Sequence, residues 1–292
     1  MESLINYFDI QELGLSMYYL TLSILIFIVG KFLFKLTNSS ININHEVVEK
    51  DNLAFIISYV GYFASLIMII IGALIGDSHG ILSDTINIFT FSVLGMLLLQ
   101  ISILINNKFI LNKFDIKKEI IEDKNAGTGM IEAAIYIGNS FILFGAISGE
   151  SNTIIEGIFT CIIYWLLGNI VMVGSCKIFI KWLGYDIHHE IEKDNVAAGT
   201  AFAGAIVAIC TILMNALIDP FENWIETILN ILIYGIIGIL ILPLIRWFSD
   251  KILIIGRDLN DEICNQEVPN IGAGLIEAFS YIGASILIIC TF

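Results

Sequence analysis

Two glutamates inside otherwise apolar segments are the residues of this chain best suited to chemistry. Glu132 and Glu277 each follow an asparagine, Asn125 and Asn270 respectively, at a distance of seven residues. At a rise of about 1.5 Å per residue, each carboxyl group lies roughly 10 Å along a helix. A carboxylate is costly in an apolar environment, so it binds a proton or a cation, or it hydrogen-bonds to a neighbouring helix. The sequence leaves both roles open.

Each glutamate belongs to a polar stripe with helical spacing. Steps of three and four residues place side chains on one face of a helix. The first stripe contains Asn125, Gly129, Glu132, Tyr136 and Ser140, and the second contains Asn270, Gly274, Glu277, Tyr281 and Ser285. If the carboxylates bind a proton or a cation, we expect the polar members of the two stripes to form a site inside the membrane at which both carboxylates face a central polar path. If they only join helices, each stripe is a packing contact. The sequence does not show whether the two stripes face each other.

Eight apolar segments are long enough to carry such stripes across a bilayer. The chain is 57% hydrophobic and 14% charged, whereas soluble domains have about 25% charged residues. A helix needs roughly 20 apolar residues to cross a hydrocarbon core of about 30 Å. The segments of this length are residues 14–36, 53–76, 85–106, 126–149, 154–180, 196–218, 225–248 and 271–291. The sequence therefore predicts an all-α integral membrane protein with eight transmembrane helices.

The basic residues indicate the orientation. All 14 Lys and Arg residues lie at or near alternate helix ends, and they are Lys31, Lys35, Lys50, Lys108, Lys113, Lys117, Lys118, Lys124, Lys177, Lys181, Lys193, Arg246, Lys251 and Arg257. Cytoplasmic loops carry the excess of Lys and Arg in membrane proteins. We therefore predict a multi-pass protein of the plasma (inner) membrane, with the basic loops in the cytoplasm and both termini outside.

An asparagine recurs at the start of every second segment. Asn52, Asn125, Asn195 and Asn270 are spaced by 73, 70 and 75 residues, and small residues follow most of them. This period covers two helices and predicts four tandem repeats with the same membrane orientation, which are parallel repeats. The second and fourth copies are the most alike, so we predict two four-helix halves, residues 1–149 and 150–292. A helix N-cap alone also explains each asparagine.

This recurring pattern resembles the domain of unknown function 350 family, which includes the YjfL-like bacterial inner-membrane proteins. The resemblance spans about residues 50–292 and rests on an acidic or lysine-containing segment, an asparagine and a small-residue helix. The first copy departs from it, with Phe55 and Ile56 where the other copies have small residues. Some relatives are fused to aminopropyltransferase domains, which implies a cationic or membrane-stress context. The family has no assigned activity, so no catalytic residue is implied.

Four further residues either occupy the position of the glutamates in the other copies or are candidate partners of their carboxylates. Tyr59 and Phe202 stand at the glutamate position in copies 1 and 3, and their stripes are apolar beyond it. Gln100 and Asn169, in the third and fifth spans, are candidate partners of the carboxylates.

The polar loops contain two further patterns. His188 and His189 stand beside acidic residues, where they are either solvated or part of a metal site. Residues 109–123 alternate apolar and charged side chains and predict an amphipathic surface helix.

Two functions from different classes fit these features. The first is a conduit for a small cation, a proton or a small solute that uses Glu132 and Glu277. The second is a membrane scaffold or envelope-stress protein that transports nothing. We expect no enzymatic activity, cofactor, metal or nucleic acid, and we expect the lipid bilayer and other copies of the chain as partners.

Overall fold

The architecture is entirely helical in the part of the chain that the structure, a computed structural model, describes. The described residues are 10–76, 78–113, 115–149, 151, 153–218, 223–254 and 256–291. Their eight long helices are α1 (Ile10–Thr37), α2 (Leu53–Leu74), α3 (Ile81–Phe109), α4 (Ala126–Ile147), α5 (Ile154–Trp182), α6 (Val196–Ile218), α7 (Trp224–Phe248) and α8 (Ile271–Thr291). All eight are long and apolar enough to cross a membrane, so the predicted number of spans is confirmed.

The even-numbered helices form a row in the order α2, α4, α6, α8. The contacts between neighbours in this row are the most extensive in the protein. The helices run parallel, because the start of each contacts the start of the next, as at Gly129 and Ala54, and the ends of α2 and α4 meet at Gly72 and Phe144. The four odd-numbered helices pack against this row: α1 contacts α2, α3 contacts α2 and α4, α5 contacts α4 and α6, and α7 contacts α6 and α8.

Glycines make the close approach within the row feasible. A Cβ atom on Gly129 would lie 2.4 Å from the carbonyl oxygen of Ala54, and one on Gly274 would lie 2.3 Å from that of Ala197. On Gly199 it would lie 2.6 Å from the Cα atom of Gly127. These backbone contacts require glycine, which explains why small residues follow the asparagines in α4, α6 and α8.

Four short helices precede the even-numbered helices. They are His45–Glu49, Ile116–Ile121, Ile187–Glu192 and Asp261–Asn265. The second of these is the helical part of residues 109–123, because α3 continues to Phe109 and Asp115 then caps a helix of only six residues. The amphipathic helix predicted for the whole stretch is therefore shorter than expected.

Three of the four recurring asparagines join the short helix before them to the next short helix in the chain. The Oδ1 atom of Asn125 accepts a hydrogen bond from the backbone N–H of Thr128, which caps α4. Its Nδ2 atom donates to Glu119 (2.9 Å) and to the carbonyl oxygen of Ile191 (2.6 Å) in the following short helix. Asn52 and Asn195 make the equivalent bonds to Ile120 and Ile263. The asparagine is thus both a cap and a joint between units.

Candidate functional site

Glu132 projects from α4 into a crevice between α2 and α3. The hydroxyl of Ser58 in α2 donates a hydrogen bond to its carboxylate. The side chain of Asn107, in the last turn of α3, lies near the same carboxylate, and its NH2 group is the part that can donate to it. Glu132 is only partly buried and forms no ion pair with any described residue. Its carboxylate is therefore held by neutral groups, and the residue as a whole keeps part of its surface exposed.

A second set of polar side chains lies deeper in this crevice, which we call the Glu132 crevice. One turn beyond Glu132, the ring of Tyr136 packs edge-on against Tyr62 of α2, with centroids 5.3 Å apart. Gln100 of α3 approaches the Tyr62 hydroxyl, which itself donates to the carbonyl oxygen of Gly30 in α1 (2.6 Å). Polar groups from three helices thus continue inward from Glu132.

The far end of the Glu132 crevice is apolar. Leu66, Ile69, Leu143 and Ile147 are buried beyond the tyrosines. A Cβ atom on Gly95 of α3 would lie 2.7 Å from the side chain of Ile69 and 3.0 Å from that of Ile147, so this region is tightly packed. The crevice is therefore polar from the asparagine end of the helices to about their middle, and beyond that point the packing is tight and mainly apolar.

Two buried polar atoms in this crevice lack partners. They are Oδ1 of Asn107 and Nε2 of Gln100, and neither has a hydrogen bond in the described structure. An unpaired polar atom in an apolar environment costs about 1–3 kcal/mol. Water in the crevice would satisfy both atoms, by donating to Oδ1 of Asn107 and accepting from Nε2 of Gln100, whereas a cation would satisfy only Oδ1. The two atoms are therefore candidate contacts for a polar ligand.

Glu277 has a different environment, because its partner is a cationic side chain. It is fully buried, and its Oε1 atom lies 3.1 Å from Nε of Arg246 in α7. The hydroxyl of Tyr281 donates to the same oxygen at 2.5 Å. Arg246 also donates to the carbonyl oxygen of Leu183 and to Oδ1 of Asn260. This arginine therefore connects α7, α8, the end of α5 and the loop that contains Asn260.

Tyr185, in the loop after α5, borders this ion pair. Its ring centroid lies 5.3 Å from the guanidinium carbon of Arg246. Burial, and next the negative charge of Glu277, raise the pKa of Tyr185, so its hydroxyl remains protonated. That hydroxyl and Oε2 of Glu277 are both buried without a hydrogen-bond partner in the described structure.

The preceding helix of the row also differs between the two glutamates. Positions six, ten and thirteen after the asparagine hold hydroxyl groups in α2 and alanines in α6. The residues are Ser58, Tyr62 and Ser65 in α2, and Ala201, Ala205 and Ala208 in α6. The polar groups that continue the Glu132 crevice inward therefore have no counterpart on α6.

The structure does not bring the two predicted stripes together. Helix α6 lies between α4 and α8, and each glutamate occupies a separate crevice. Tyr136 and Tyr281 remain beside their own glutamates, whereas the hydroxyls of Ser140 and Ser285 donate to carbonyl oxygens of their own helices. The expected central path shared by both carboxylates is not formed.

The other candidate partners and ligands are distributed over several places. Gln100 belongs to the Glu132 crevice, but Asn169 hydrogen-bonds to Asn106 (3.3 Å) and to the backbone of Trp165. His188 and His189 begin a short helix, where their backbone N–H groups donate to Asp186. Within the described ranges, no cluster of three or more His, Cys, Asp or Glu residues suits a metal ion.

Sequence patterns alone did not single out Ser58, Tyr62, Asn107 or Arg246. A signal was present for the first two, since Ser58, Tyr62 and Ser65 follow helical spacing on the face of α2 next to the one that contains Tyr59. Asn107 and Gln100 are seven residues apart and share a face of α3. No sequence signal distinguished Arg246, because basic residues near the ends of membrane helices usually extend their charged groups to the membrane–water interface.

Comparisons with known proteins place the chain among membrane proteins. A family model described as Domain of Unknown Function (DUF350) matches residues 7–147 and, separately, residues 153–291. A UPF0719 transmembrane protein from Aquifex aeolicus (strain VF5) is 22% identical over 246 residues, which cover 84% of this chain and 88% of the relative. No solved structure matches the chain.

Proposed function

Because this chain belongs to the DUF350 family, whose function is unknown, we propose an activity from its own geometry: it is a conduit for a small cation or a proton, with Glu132 as the binding site. The observation that carries this proposal is the Glu132 crevice, in which a carboxylate without a cationic partner among the described residues lies in the same three-helix contact as two unpaired polar atoms. An ionisable group within a membrane span is a functional candidate by default. Binding and release suffice for this activity, and no enzymatic step is required.

The shape of the Glu132 crevice favours a carrier over an open pore. The polar part begins at the asparagine end, and the layer of Leu66, Ile69, Leu143 and Ile147 separates it from the opposite end. A cation or proton therefore reaches Glu132 from the asparagine end, and it crosses only when this apolar layer opens. Such alternation between two accessible states is common among secondary transporters.

We also propose that the chain is made of four parallel two-helix repeats in two halves, residues 1–149 and 150–292. The two separate family matches support the halves. The recurring joint of asparagine, short helix and next unit supports the repeats. The basic residues lie at the asparagine end, which supports a cytoplasmic position for this end, a location in the plasma (inner) membrane and both termini outside.

Cysteine labelling in intact cells tests the orientation. In a cysteine-free variant, Ser151→Cys is expected to react with a membrane-impermeant maleimide, because it lies in the proposed outer loop between α4 and α5. Ser39→Cys, at the asparagine end, is expected to react only after the membrane is permeabilised. The reverse pattern contradicts the proposed orientation.

Flux in proteoliposomes tests the conduit. With a pH-sensitive and a cation-sensitive dye, we expect wild-type protein to carry a proton or cation current, and Glu132→Gln to reduce it about tenfold or more. The reason is that the neutral amide loses a charged contact worth more than about 1.4 kcal/mol. Glu122→Gln is the matched control, because it is the same chemical change at an exposed residue, and it is expected to retain full flux.

The alternative function, a membrane scaffold, is supported by a different surface. One face of the helix row forms an apolar groove of about 400 Å³, lined by residues from α2, α4, α6 and α8 that include Gly61, Ala133, Ala203, Gly204 and Ala278. Small residues on membrane helices permit close packing of another helix, including one from a second copy. Equal, background-level flux in wild type and Glu132→Gln would favour this alternative, and crosslinking across the groove would then test it.

A further inference from the structure

The two glutamates occupy corresponding places in the two halves of the chain. Each lies seven residues after the asparagine that begins its helix. Each faces a side chain located two residues before the last residue of the preceding long helix, Asn107 in α3 and Arg246 in α7. The corresponding carboxylates therefore have a neutral amide as neighbour in one half and a guanidinium group in the other.

Arg246 shows how a cation is accommodated in this arrangement. Its Nε atom lies 3.1 Å from Oε1 of Glu277, to which the hydroxyl of Tyr281 also donates. The other nitrogen atoms of Arg246 donate to Leu183 and Asn260. Arg246 retains only 13% of its side-chain exposure and Glu277 retains none. The carboxylate of the second half is therefore permanently neutralised by a cation that is part of the chain.

The Glu132 crevice has the matching anion without a matching cation. Within the described ranges Glu132 makes no salt bridge, although it lies in a membrane span. Ser58 supplies a hydroxyl oxygen beside it. The Asn107 side chain lies near the carboxylate, and its Oδ1 atom is a buried acceptor without a donor in the described structure. A carboxylate, a hydroxyl and an amide carbonyl are the oxygen ligands that hard cations prefer in proteins.

From this correspondence we propose that the Glu132 crevice binds a monovalent cation from solution through Glu132, Ser58 and Asn107, and that Arg246 is its tethered counterpart beside Glu277. One carboxylate with neutral oxygens balances a single positive charge, whereas Ca²⁺ sites generally use several carboxylates. The carboxylate of Glu132 is then available to an exchangeable cation, whereas the carboxylate of Glu277 is already paired with Arg246. This site rests on the function proposed above and narrows its substrate from a cation or proton to a monovalent metal cation.

Thermal unfolding of the purified full chain in detergent tests the site without any flux measurement. At constant ionic strength, replacement of choline chloride by sodium or potassium chloride is expected to raise the unfolding temperature of the wild type, because a ligand that binds only the folded state stabilises it. Glu132→Gln is expected to lose this rise. Magnesium and calcium chloride are expected to give no rise that depends on Glu132.

The most specific variant introduces a cationic side chain next to Glu132. Asn107→Arg places a guanidinium group at the position in α3 that corresponds to Arg246 in α7, and it is expected to abolish both the sodium or potassium effect and the flux. If this variant does not fold, Ser58→Ala provides the second measurement, and it is expected to shift the cation effect to a higher concentration. Asn107→Gln retains the carbonyl ligand and is expected to keep part of the effect.

The outcomes distinguish this site from the conduit. An equal rise in wild type and Glu132→Gln, or no rise with any monovalent cation, overturns the cation site. A proton flux that depends on Glu132 without cation binding also overturns the site but leaves the conduit intact. Cation binding that depends on Glu132 without any flux supports the site and rejects the conduit.

Discussion

Replacement of Arg246 by alanine is expected to destabilise the folded protein by about 3–5 kcal/mol, because it leaves a buried carboxylate without its cation. Glu277 is fully buried, and its Oε2 atom already lacks a hydrogen-bond partner in the described structure. The variant also removes the bonds from Arg246 to Leu183 and Asn260, which hold the loop before α8 against α5. The measurement is the unfolding midpoint in detergent, from a titration with a denaturing detergent.

Two further variants make this expectation specific. Arg257→Ala is the matched control, because Arg257 is 73% exposed and lies 3.9 Å from Glu262, and a surface pair contributes about 0–1 kcal/mol. The double variant Arg246→Leu with Glu277→Leu is expected to recover most of the loss, since apolar residues replace a buried ion pair at little cost. A double variant as unstable as Arg246→Ala would show that the loss does not come from an unpaired charge.

Gly199→Val is expected to have the second large effect, because it separates α4 from α6 at the centre of the row. A Cβ atom on Gly199 would lie 2.6 Å from the Cα atom and 2.7 Å from the carbonyl oxygen of Gly127. Backbone atoms cannot move aside as the end of a flexible side chain can, so the helices must part. The cost is expected at or above the upper end of the range for overpacked sites, about 1–3 kcal/mol.

Gly283→Val is the matched control for this substitution. It makes the same chemical change in α8, where a Cβ atom would meet nothing within 4 Å. The stability of both variants is measured as the fraction of protein that remains monodisperse in gel filtration after heating. A loss of the same size in both would show that valine lowers stability through the loss of glycine itself, and that contact within the row is unimportant.

The same sequence pattern of asparagine, glutamate and tyrosine has different surroundings at Glu132 and at Glu277. The asparagine, the glutamate and the following tyrosine recur in both, and each glutamate lies beside its tyrosine. The difference comes from the neighbouring helices: Ser58 and Asn107 lie beside Glu132, whereas Arg246 of α7 lies beside Glu277. A stripe on one helix is therefore insufficient to assign a role to its carboxylate.

Much of the fold followed from properties that act locally along the chain. The lengths of the apolar segments predict eight spans, because the bilayer thickness sets the length of a spanning helix. The recurring asparagine with its small residues indicates where α4, α6 and α8 begin and which faces approach closely, because capping and close packing depend on nearby residues. The match between Asn52, Asn125 and Asn195 and the caps in the structure reflects this local character.

The helices, their starts and the positions of two carboxylates within them were therefore predictable from local sequence. The packing of the helices sets the rest: Ser58 and Asn107 lie beside Glu132, Arg246 neutralises Glu277, and α6 separates the two sites. The physical reason is that apolar helices in a membrane have no strong preference for one rotation about their axes until they pack. The partner of a buried carboxylate comes from a helix distant in sequence, and its identity depends on that rotation.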